Sequence, residues 1–345
     1  MHKPRVVVIT GASAGVGRAA ALHFARHGAD LALIARNREA LESTRLEAQV
    51  HGVRALVLPL DVADAEALER AAQTIEAQLG PIDVWVNDAM VTVFSPVALL
   101  QPDEVRRVTE VTYLGTVYGT LAALKRMLER NRGVIVQVGS ALSYRALPLQ
   151  AAYCGAKFAV RGFTSALRTE LLHSGSRVHV TMVQMPALNT PQFNWCRTRL
   201  PGRPRPVPPV FDPEVAARAI YWSTRHRRRE LFVGSSTVAA IWGNRLVAPL
   251  LDRYLARTAY AAQISNEPLQ ADRPDNLWKP VPGDHAARGR FSAGSCPRSA
   301  QLWLTTHRRW ILTAALAGLA LKGIARRRMR RTRRDHQAGA GHMHE

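Results

Sequence analysis

Three side chains of types that transfer protons stand close together in the sequence, namely Ser140, Tyr153 and Lys157. Tyr153 and Lys157 are four positions apart in a stretch whose apolar residues recur at helical spacing, so the phenol and the ammonium share one helix face. A free phenol has a pKa of about 10, and a neighbouring cation stabilises the phenolate and lowers that pKa. Ser140 follows the apolar run 134–138, a predicted strand that would bring its hydroxyl to the carboxyl edge of a sheet. Together the three groups predict a proton-transfer site for a carbonyl compound or an alcohol.

The lysine at position 157 is informative, because the chain contains 42 arginines and only 5 lysines. A guanidinium would supply charge there, but it cannot release a proton and has a different shape. A lysine at this position therefore indicates that the site requires an ammonium. The Tyr-x-x-x-Lys pattern also arises by chance in helices, so the argument depends on the elements around it.

A glycine-rich turn lies near the start of the chain, between the apolar run 5–9 and a helical pattern that begins near residue 19. Gly11, Gly15 and Gly17 would let the backbone approach a pyrophosphate, and the N-terminus of the following helix offers free N–H groups and a positive dipole end. A strand, a glycine loop and a helix in this order predict a dinucleotide-binding turn.

Strand-like and helical patterns alternate over the first 235 residues. The predicted strands lie near 5–9, 31–35, 54–58, 82–86, 133–138, 178–183 and 231–234. The predicted helices between them lie near 39–51, 64–79, 103–130, 151–173 and 213–225. This alternation predicts an α/β fold, a Rossmann-like doubly wound parallel sheet of about seven strands with helices on both faces. Ligands of such sheets bind at the carboxyl ends of the strands, where the glycine loop and Ser140 are expected.

The length of 345 residues is ample for a large core. Cys154, Cys196 and Cys296 are widely spaced and form no Cys-x-x-Cys pair, which argues against a disulfide framework and a zinc site, so no metal ligands are predicted. The N-terminus has no signal-peptide pattern, because residues 5–9 already read as a buried strand. A cytoplasmic enzyme is expected.

These motifs resemble those of the short-chain dehydrogenase/reductase superfamily over about residues 4–235. The matching motifs are Thr10-Gly11-x-x-x-Gly15-x-Gly17, Asp61-Val62, Asn87-Asp88-Ala89, Ser140, Tyr153-x-x-x-Lys157 and Pro186-x-x-x-Thr190. The resemblance implies that Tyr153 is the catalytic acid/base and that Ser140 holds the substrate oxygen. It also implies that Lys157 holds the nicotinamide ribose and lowers the pKa of the tyrosine.

The same resemblance implies a set of cofactor-binding residues. With Tyr153 and Lys157, the set comprises Gly11, Ser13, Gly15, Val16, Gly17, Arg36, Asp61, Val62, Asn87, Ala89, Pro186 and Thr190. Asp61 and Val62 would border the adenine, and Thr190 would contact the nicotinamide amide. Asn87 would steady the central sheet.

Two positions depart from the family pattern. Thr112 stands where the family has a catalytic Asn, whose backbone carbonyl is thought to hold a water in a proton relay. Thr112 keeps the carbonyl, and its hydroxyl could also bind water, so it is predicted as a fourth catalytic residue with a retuned relay. Met90 ends the stretch Asn87-Asp88-Ala89-Met90, where the family usually has Asn-Asn-Ala-Gly, and would place a soft apolar side chain near the nicotinamide or the substrate.

The end of the second predicted strand bears on the choice of cofactor. An NAD-specific site would have an Asp or Glu there to accept from the ribose 2′-hydroxyl, and the stretch 32–38 contains neither. Arg36 could instead bind the 2′-phosphate of NADP. An ordinary exposed arginine is the alternative explanation for Arg36, but the missing acid still favours NADP(H) over NAD(H).

Beyond Pro186 lies the region in which family members differ most. Phe193, Trp195, Leu200 and Phe211 predict either an apolar wall of the substrate pocket or a lid that packs on the core. Residues 237–262 predict an added amphipathic helix interrupted at Pro249.

The sequence predicts a single catalytic domain followed by an extension. The predicted domains are an oxidoreductase domain over 1–263, an extended linker over 264–300, and an apolar helix with a polybasic tail over 301–345.

The charge of the chain is concentrated in its C-terminal half. Residues 1–196 carry 20 basic and 16 acidic groups, whereas 197–345 carry 27 and 10. An arginine cluster at 326–334 follows the uncharged run 310–321, whose 12 residues are too few for a spanning helix, which needs roughly 17–25. This pattern favours peripheral anchoring to an anionic membrane surface through 301–334, with a disordered arginine-rich extension as the alternative. The absence of aromatic residues from 322–345 argues against specific nucleic-acid binding.

The sequence therefore predicts an NADP-dependent oxidoreductase that interconverts a secondary alcohol and a ketone or aldehyde on an apolar small molecule. A homo-oligomer is expected. The alternative from another functional class is a catalytically weak cofactor-binding scaffold or sensor of the same fold, which Thr112 would support.

Overall fold

Seven parallel strands form the central sheet of the computed structural model, which describes residues 5–270, 272–308, 313 and 322. In chain order they are β1 Val6–Thr10, β2 Asp30–Ala35, β3 Ala55–Pro59, β4 Ile82–Asn87, β5 Val134–Ser140, β6 His179–Met185 and β7 Glu230–Phe232. Their order across the sheet is β3-β2-β1-β4-β5-β6-β7. The order reverses between β1 and β4, and in such sheets a crevice for ligands opens at this point.

Helices cover both faces of the sheet. They are α1 Gly15–Ala25, α2 Arg38–Gln49, α3 Ala65–Gln78, α4 Pro102–Val108, α5 Gly115–Glu129, α6 Ala151–His173, α7 Gln192–Trp195, α8 Pro213–Ser223 and α9 Ser235–Gln263. On one face α1 packs against α2 and α8, and on the other α5 packs against α3 and α6. The predicted doubly wound fold is confirmed.

The strands are apolar on both sides because both faces of the sheet are covered. Every residue of β1 and β2 is buried, and the largest fully buried side chains include Trp85 on β4 and Phe24 on α1. Burying an aliphatic or aromatic side chain of this size contributes about 1.5–3 kcal/mol to stability. The apolar runs of the sequence thus supply the rigid platform whose carboxyl edge carries the site.

The long helix predicted over 103–130 is interrupted in the middle. A π-helical turn, Thr109–Leu114, separates α4 from α5. Such a turn widens the helix and frees backbone groups from the regular ladder, and it is frequent at functional sites. Thr112 lies within it.

The predicted amphipathic helix over 237–262 corresponds to α9, which is broken where the sequence indicates. Val247 has non-helical backbone angles, φ −139° and ψ 40°, two residues before Pro249. Proline has no backbone N–H to donate to the preceding turn, and its ring clashes with the carbonyl four residues earlier, so it interrupts a helix. The two halves of α9 therefore differ in direction.

The segment predicted as an extended linker, 264–300, makes contacts with the part of the chain that contains the sheet. Residues up to Ser299 belong to the same compact unit as the sheet. Ile264–Pro268 pairs antiparallel with Gly202–Pro204, and Ser295–Cys296 pairs parallel with Val210–Phe211. The segment is extended, and backbone pairing with residues of the preceding part of the chain holds it in place.

A second compact unit spans Ala300–Glu345, of which 300–308 are helical. The apolar run 310–321 and the arginine cluster 326–334 fall almost entirely outside the described residues. None of the described helices is long and apolar enough to cross a membrane.

Candidate active site

Three of the four predicted catalytic side chains meet at the carboxyl edge of the sheet. Ser140 is the last residue of β5, and its hydroxyl accepts from the backbone N–H of Leu142 at 3.1 Å. Tyr153 and Lys157 lie one turn apart near the start of α6, with 5.6 Å between the lysine Nζ and the centre of the tyrosine ring. All three border one cavity of about 670 Å³.

The pKa of Tyr153 is raised in the structure, whereas the sequence predicts that it is lowered. Burial raises the pKa of Tyr153 well above its usual value, a hydrogen bond with Ser140 opposes the rise, and the carboxylate of Asp88 adds to it. Burial lowers the pKa of Lys157 to about 8, against the attraction of Asp88. Burial therefore favours the neutral phenol over the phenolate.

Asp88 is a charged member of the site that the motif analysis did not single out. Desolvation in the cavity wall raises its pKa to about 7, while Lys157 and the backbone N–H of Gly17 both favour the carboxylate. The signal in the sequence was an acid where the family usually has Asn. A single position of this kind does not reveal that its side chain faces Lys157.

The glycine loop between β1 and α1 packs directly on the loop that follows β4. The hydroxyl of Thr10 accepts from the backbone N–H groups of Asp88 and Ala89 at 3.0 and 3.2 Å. A β-carbon at position 17 would lie 2.2 Å from the carbonyl oxygen of Gly11, so only glycine fits there. Of the predicted glycine-loop residues, Gly11, Ser13, Gly15 and Val16 border the cavity, whereas Gly17 lies behind the loop and supports it.

Arg36, Asp61 and Val62 form the far end of the cavity. The Asp61 carboxylate accepts from the N–H of Ala63 at 3.0 Å and pairs with Arg107. Arg36 donates to the backbone carbonyls of residues 276, 277 and 278, with distances of 3.3 and 3.0 Å to the last two. Its guanidinium is thus already held at the cavity wall.

The near end of the cavity holds the remaining predicted residues. Ala89, Met90, Pro186 and Thr190 all border the cavity around Tyr153. Beyond them the wall is largely apolar, with contributions from Leu142, Leu147, Met185, Leu188, Phe193, Trp195, Leu251 and Leu255. Of the four residues predicted as a pocket wall or lid, Phe193 and Trp195 line the cavity, whereas Leu200 and Phe211 are buried in the packing around it.

Asn87 and Thr112 are engaged away from the cavity. The amide of Asn87 donates to Gln137 and Thr120 and accepts from Trp85, all within 3.1 Å, so it ties the central strands to α5. The hydroxyl of Thr112 both donates to and accepts from the backbone of Val91. That hydroxyl is therefore not directed at a water in the site, and the Thr112 carbonyl accepts from another side chain of the same helix, Thr116.

The residues at the cavity fit a dinucleotide. The glycine loop has only small side chains between a pyrophosphate and the N-terminus of α1, where the N–H of Gly15 donates to the carbonyl of Ala286 in this structure, and polar groups suited to a ribose or a base lie at both ends. A cavity of about 670 Å³ is also within the usual size range of ligand sites. Within the described part of the chain, no three His, Cys, Asp or Glu side chains converge in a way that could hold a metal ion.

A family model, related sequences and solved structures all match this chain to one family. A model of the short chain dehydrogenases matches residues 5–199. The uncharacterized oxidoreductase YxnA of Bacillus subtilis is 31% identical over 328 residues, which cover 94% of this chain and 91% of that protein. Estradiol 17-beta-dehydrogenase 11 of Pongo abelii is 29% identical, over 73% of this chain and 81% of its own. The solved alcohol dehydrogenase of the archaeon Thermococcus sibiricus, complexed with 5-hydroxy-NADP, has a TM-score of 0.58 and 28% identity, and the match covers 66% of this chain and 95% of that one.

Proposed function

The chain belongs to the short-chain dehydrogenase family of oxidoreductases, and from this premise we propose that it is an NADP-dependent enzyme that interconverts an alcohol and the matching carbonyl compound. The observation that carries the proposal is the convergence of Ser140, Tyr153 and Lys157 on one cavity beside the glycine loop. A nicotinamide cofactor, when bound, supplies or accepts the hydride.

The protein's own residues position the substrate and move the proton. Ser140 hydrogen-bonds the substrate oxygen, and Tyr153 donates its phenolic proton to that oxygen as negative charge develops there. The ammonium of Lys157 stabilises the phenolate that remains. Its bond to the carbonyl of Val138, at 2.7 Å, keeps it in position for this role.

Carbonyl reduction is the proposed direction at neutral pH. The phenol is the form of Tyr153 present at neutral pH, and it is the form that donates a proton to a carbonyl oxygen. Alcohol oxidation requires the phenolate and becomes favourable only at higher pH.

NADP(H) is the proposed cofactor on two grounds. Arg36 borders the cavity at the end of β2, where an NAD-specific site would carry an acid. The alcohol dehydrogenase of Thermococcus sibiricus is described as complexed with 5-hydroxy-NADP, and it shares the fold over two thirds of this chain.

The proposed substrate is an apolar small molecule. Its support is the wall of leucine, methionine and aromatic side chains beyond Tyr153, since ligand pockets match the polarity of what they bind. Estradiol 17-beta-dehydrogenase 11, a relative over most of the chain, is named for a steroid, which has this character.

A cofactor-binding scaffold with little turnover is the second candidate, and one observation favours it. Both the hydroxyl and the carbonyl of Thr112 are engaged within the protein, which leaves fewer groups to hold a relay water. The intact Ser140, Tyr153 and Lys157 set favours the enzyme.

Two further proposals concern partners. Leu121 and Leu128 of α5 and Phe158 and Leu172 of α6 are exposed, with 41–75% of their surface accessible, which supports a homo-oligomer that covers these faces. Peripheral association with an anionic membrane through 301–334 remains a proposal from the sequence.

A screen of carbonyl compounds of graded polarity, followed through the absorbance of NADPH, tests the proposed function. Consumption of NADPH with apolar ketones or aldehydes, lost in Tyr153→Phe, is the expected result. Tight NADPH binding without turnover across the screen would instead favour the scaffold.

A further inference from the structure

Residues 273–291, which lie beyond the part matched by the family model, run along the rim of the cavity and are named here the strap. The strap begins beside α7, where the guanidinium of Arg273 donates to the backbone carbonyls of Phe193, Asn194 and Cys196 at 2.5–3.2 Å. It ends beside Thr190, where the N–H of Phe291 donates to the side chain of Asn189 at 3.0 Å. The strap is thus fixed to the chain at both ends.

The middle of the strap covers the end of the cavity that holds Arg36 and Asp61. Arg36 donates to three consecutive strap carbonyls, and Arg107 donates to one of them, that of Leu277, at 3.1 Å. Leu277 is the one buried residue of the strap, all of which the structure describes. Asn276, Pro280, Val281 and His285 line the cavity itself.

A charged tie holds the next part of the strap to α1. Asp284 pairs with Arg18, whose side chain is only 3% exposed, and accepts from the hydroxyl of Ser43 at 2.8 Å. The bond from Arg18 lowers the pKa of Asp284 to about 2, so the carboxylate is charged at every physiological pH. Asn37 adds two bonds, to the carbonyls of Val281 and Gly283 at 2.8 and 3.0 Å.

The strap then crosses the glycine loop. The N–H of Gly15, in the first turn of α1, donates to the carbonyl of Ala286 at 3.2 Å. A β-carbon on Gly289 would lie 2.5 Å from the carbonyl oxygen of Thr190, so the strap approaches this end as closely as backbone allows. The strap therefore contacts both the Arg36 end of the cavity and the first turn of α1, and it occupies an N–H group that a bound pyrophosphate would use.

Hydrogen bonds and ion pairs, rather than apolar packing, attach the strap. Because only one residue of the strap is buried, little apolar surface is exposed when the strap opens, and segments of this kind open at a low free-energy cost. We propose that the strap is a dinucleotide-binding element, which contacts the adenosine half of the cofactor through Asn276, Val281 and His285 and releases from α1 when the cofactor exchanges. The proposal rests on the proposed function, because its ligand is the proposed dinucleotide.

The charged tie gives a test with a matched control. Asp284→Asn weakens the tie, whereas Glu47→Gln removes the other carboxylate that pairs with Arg18 and leaves the strap in place. The dissociation rate of NADPH, followed by its fluorescence in a stopped-flow instrument, is expected to rise on the order of tenfold in Asp284→Asn and to change little in Glu47→Gln. Hydrogen exchange of the amides in 273–291 is expected to slow when NADPH binds the parent protein.

The outcomes separate the strap from the proposed function. Equal dissociation rates in all three proteins, with strap amides that exchange equally fast with and without NADPH, would overturn the strap proposal and leave the function standing. A parent protein that binds neither NADPH nor NADH would overturn both. If Asp284→Asn fails to fold, Ser43→Ala removes the 2.8 Å bond to Asp284 together with the 2.9 Å bond that the same hydroxyl accepts from Arg18, and a smaller acceleration is expected from it.

Discussion

Lys157 is anchored by the sheet and not by Tyr153, since its Nζ donates to the carbonyl of Val138 on β5 at 2.7 Å while the tyrosine ring centre lies 5.6 Å away. The helix sets the spacing of the two residues, and the strand fixes where the ammonium points. The pair is therefore preorganised before any ligand arrives, which is what a site for developing charge requires.

Removal of the Tyr153 hydroxyl tests the acid/base assignment. Tyr153→Phe keeps the ring and should preserve the fold and NADPH binding, while turnover falls roughly 10²–10⁴-fold because the proton donor is lost. Tyr144→Phe is the matched control, since Tyr144 bonds to Glu230 and does not border the cavity. A Tyr153→Phe protein that turns over at the parent rate would exclude this tyrosine as the donor.

The rate of carbonyl reduction should depend on pH through the protonation of Lys157. Burial lowers its pKa to about 8, and the charge of Asp88 holds that pKa up. Reduction should therefore decline as pH rises through about 8, where the ammonium is lost. In Asp88→Asn the attraction disappears, the pKa of Lys157 falls further, and the decline should move to lower pH.

A second asparagine substitution controls for the change in net charge. Asp83 lies near the start of β4, whereas Asp88 directly follows the end of that strand, and Asp83 accepts from the N–H of Val6 and pairs with Arg132. Asp83→Asn should leave the pH profile unmoved. Profiles that coincide for the parent and Asp88→Asn would show that the carboxylate does not act on Lys157.

The role of Arg36 can be separated into two parts. Arg36→Met keeps most of the stem and removes the guanidinium, which bonds both the strap and, as proposed, the 2′-phosphate. Loss of the strap bonds weakens NADPH and NADH alike, whereas loss of the phosphate bond weakens only NADPH. The ratio of the two affinities, measured by titration, should therefore shift toward NADH by about tenfold.

The neighbouring arginine provides the comparison. Arg38 is exposed at the start of α2 and has no place at the cavity. Arg38→Met should leave the affinity ratio unchanged. A parent enzyme that already prefers NADH would contradict the cofactor assignment.

The proposed membrane association predicts that the tail, residues 301–345, can be deleted without loss of activity. Deletion of 301–345 removes the second compact unit almost entirely and should leave the cavity and its activity intact. Full-length protein should sediment with anionic vesicles at low salt, less so at high salt, because each arginine near such a surface contributes about 1 kcal/mol. Equal sedimentation of the full-length and shortened proteins would contradict anchoring by the tail, and neutral vesicles serve as the control.

The fold could be predicted because its signals are local. The apolar runs of β1 and β2 are buried throughout, and the four-residue spacing of Tyr153 and Lys157 lies within one helix. The strap could not be predicted. Its contacts join residues about 240 positions apart, and many of its acceptors are backbone carbonyls, which no side-chain pattern records.

The contacts of two residues near the site could not be predicted from the sequence either. Thr112 could be aligned with the family's asparagine, but its hydroxyl bonds to Val91, 21 positions away. Asp88 could be read as a departure from the motif, yet its effect depends on the position of Lys157 on another element. In both cases the residue type is visible in the sequence and its partner is not.

The use of guanidinium groups to hold the strap makes the protein convenient for chemical labelling. Reagents that acylate amines leave arginine intact, so they would not cut the bonds from Arg36, Arg107 or Arg273. Lys157 is buried, whereas Lys279 is exposed within the strap and Lys125 is exposed on α5. In a variant with Lys3, Lys125 and Lys322 replaced by arginine and the N-terminal amine blocked, a fluorophore coupled to Lys279 would follow the strap, with no cysteine introduced for the purpose.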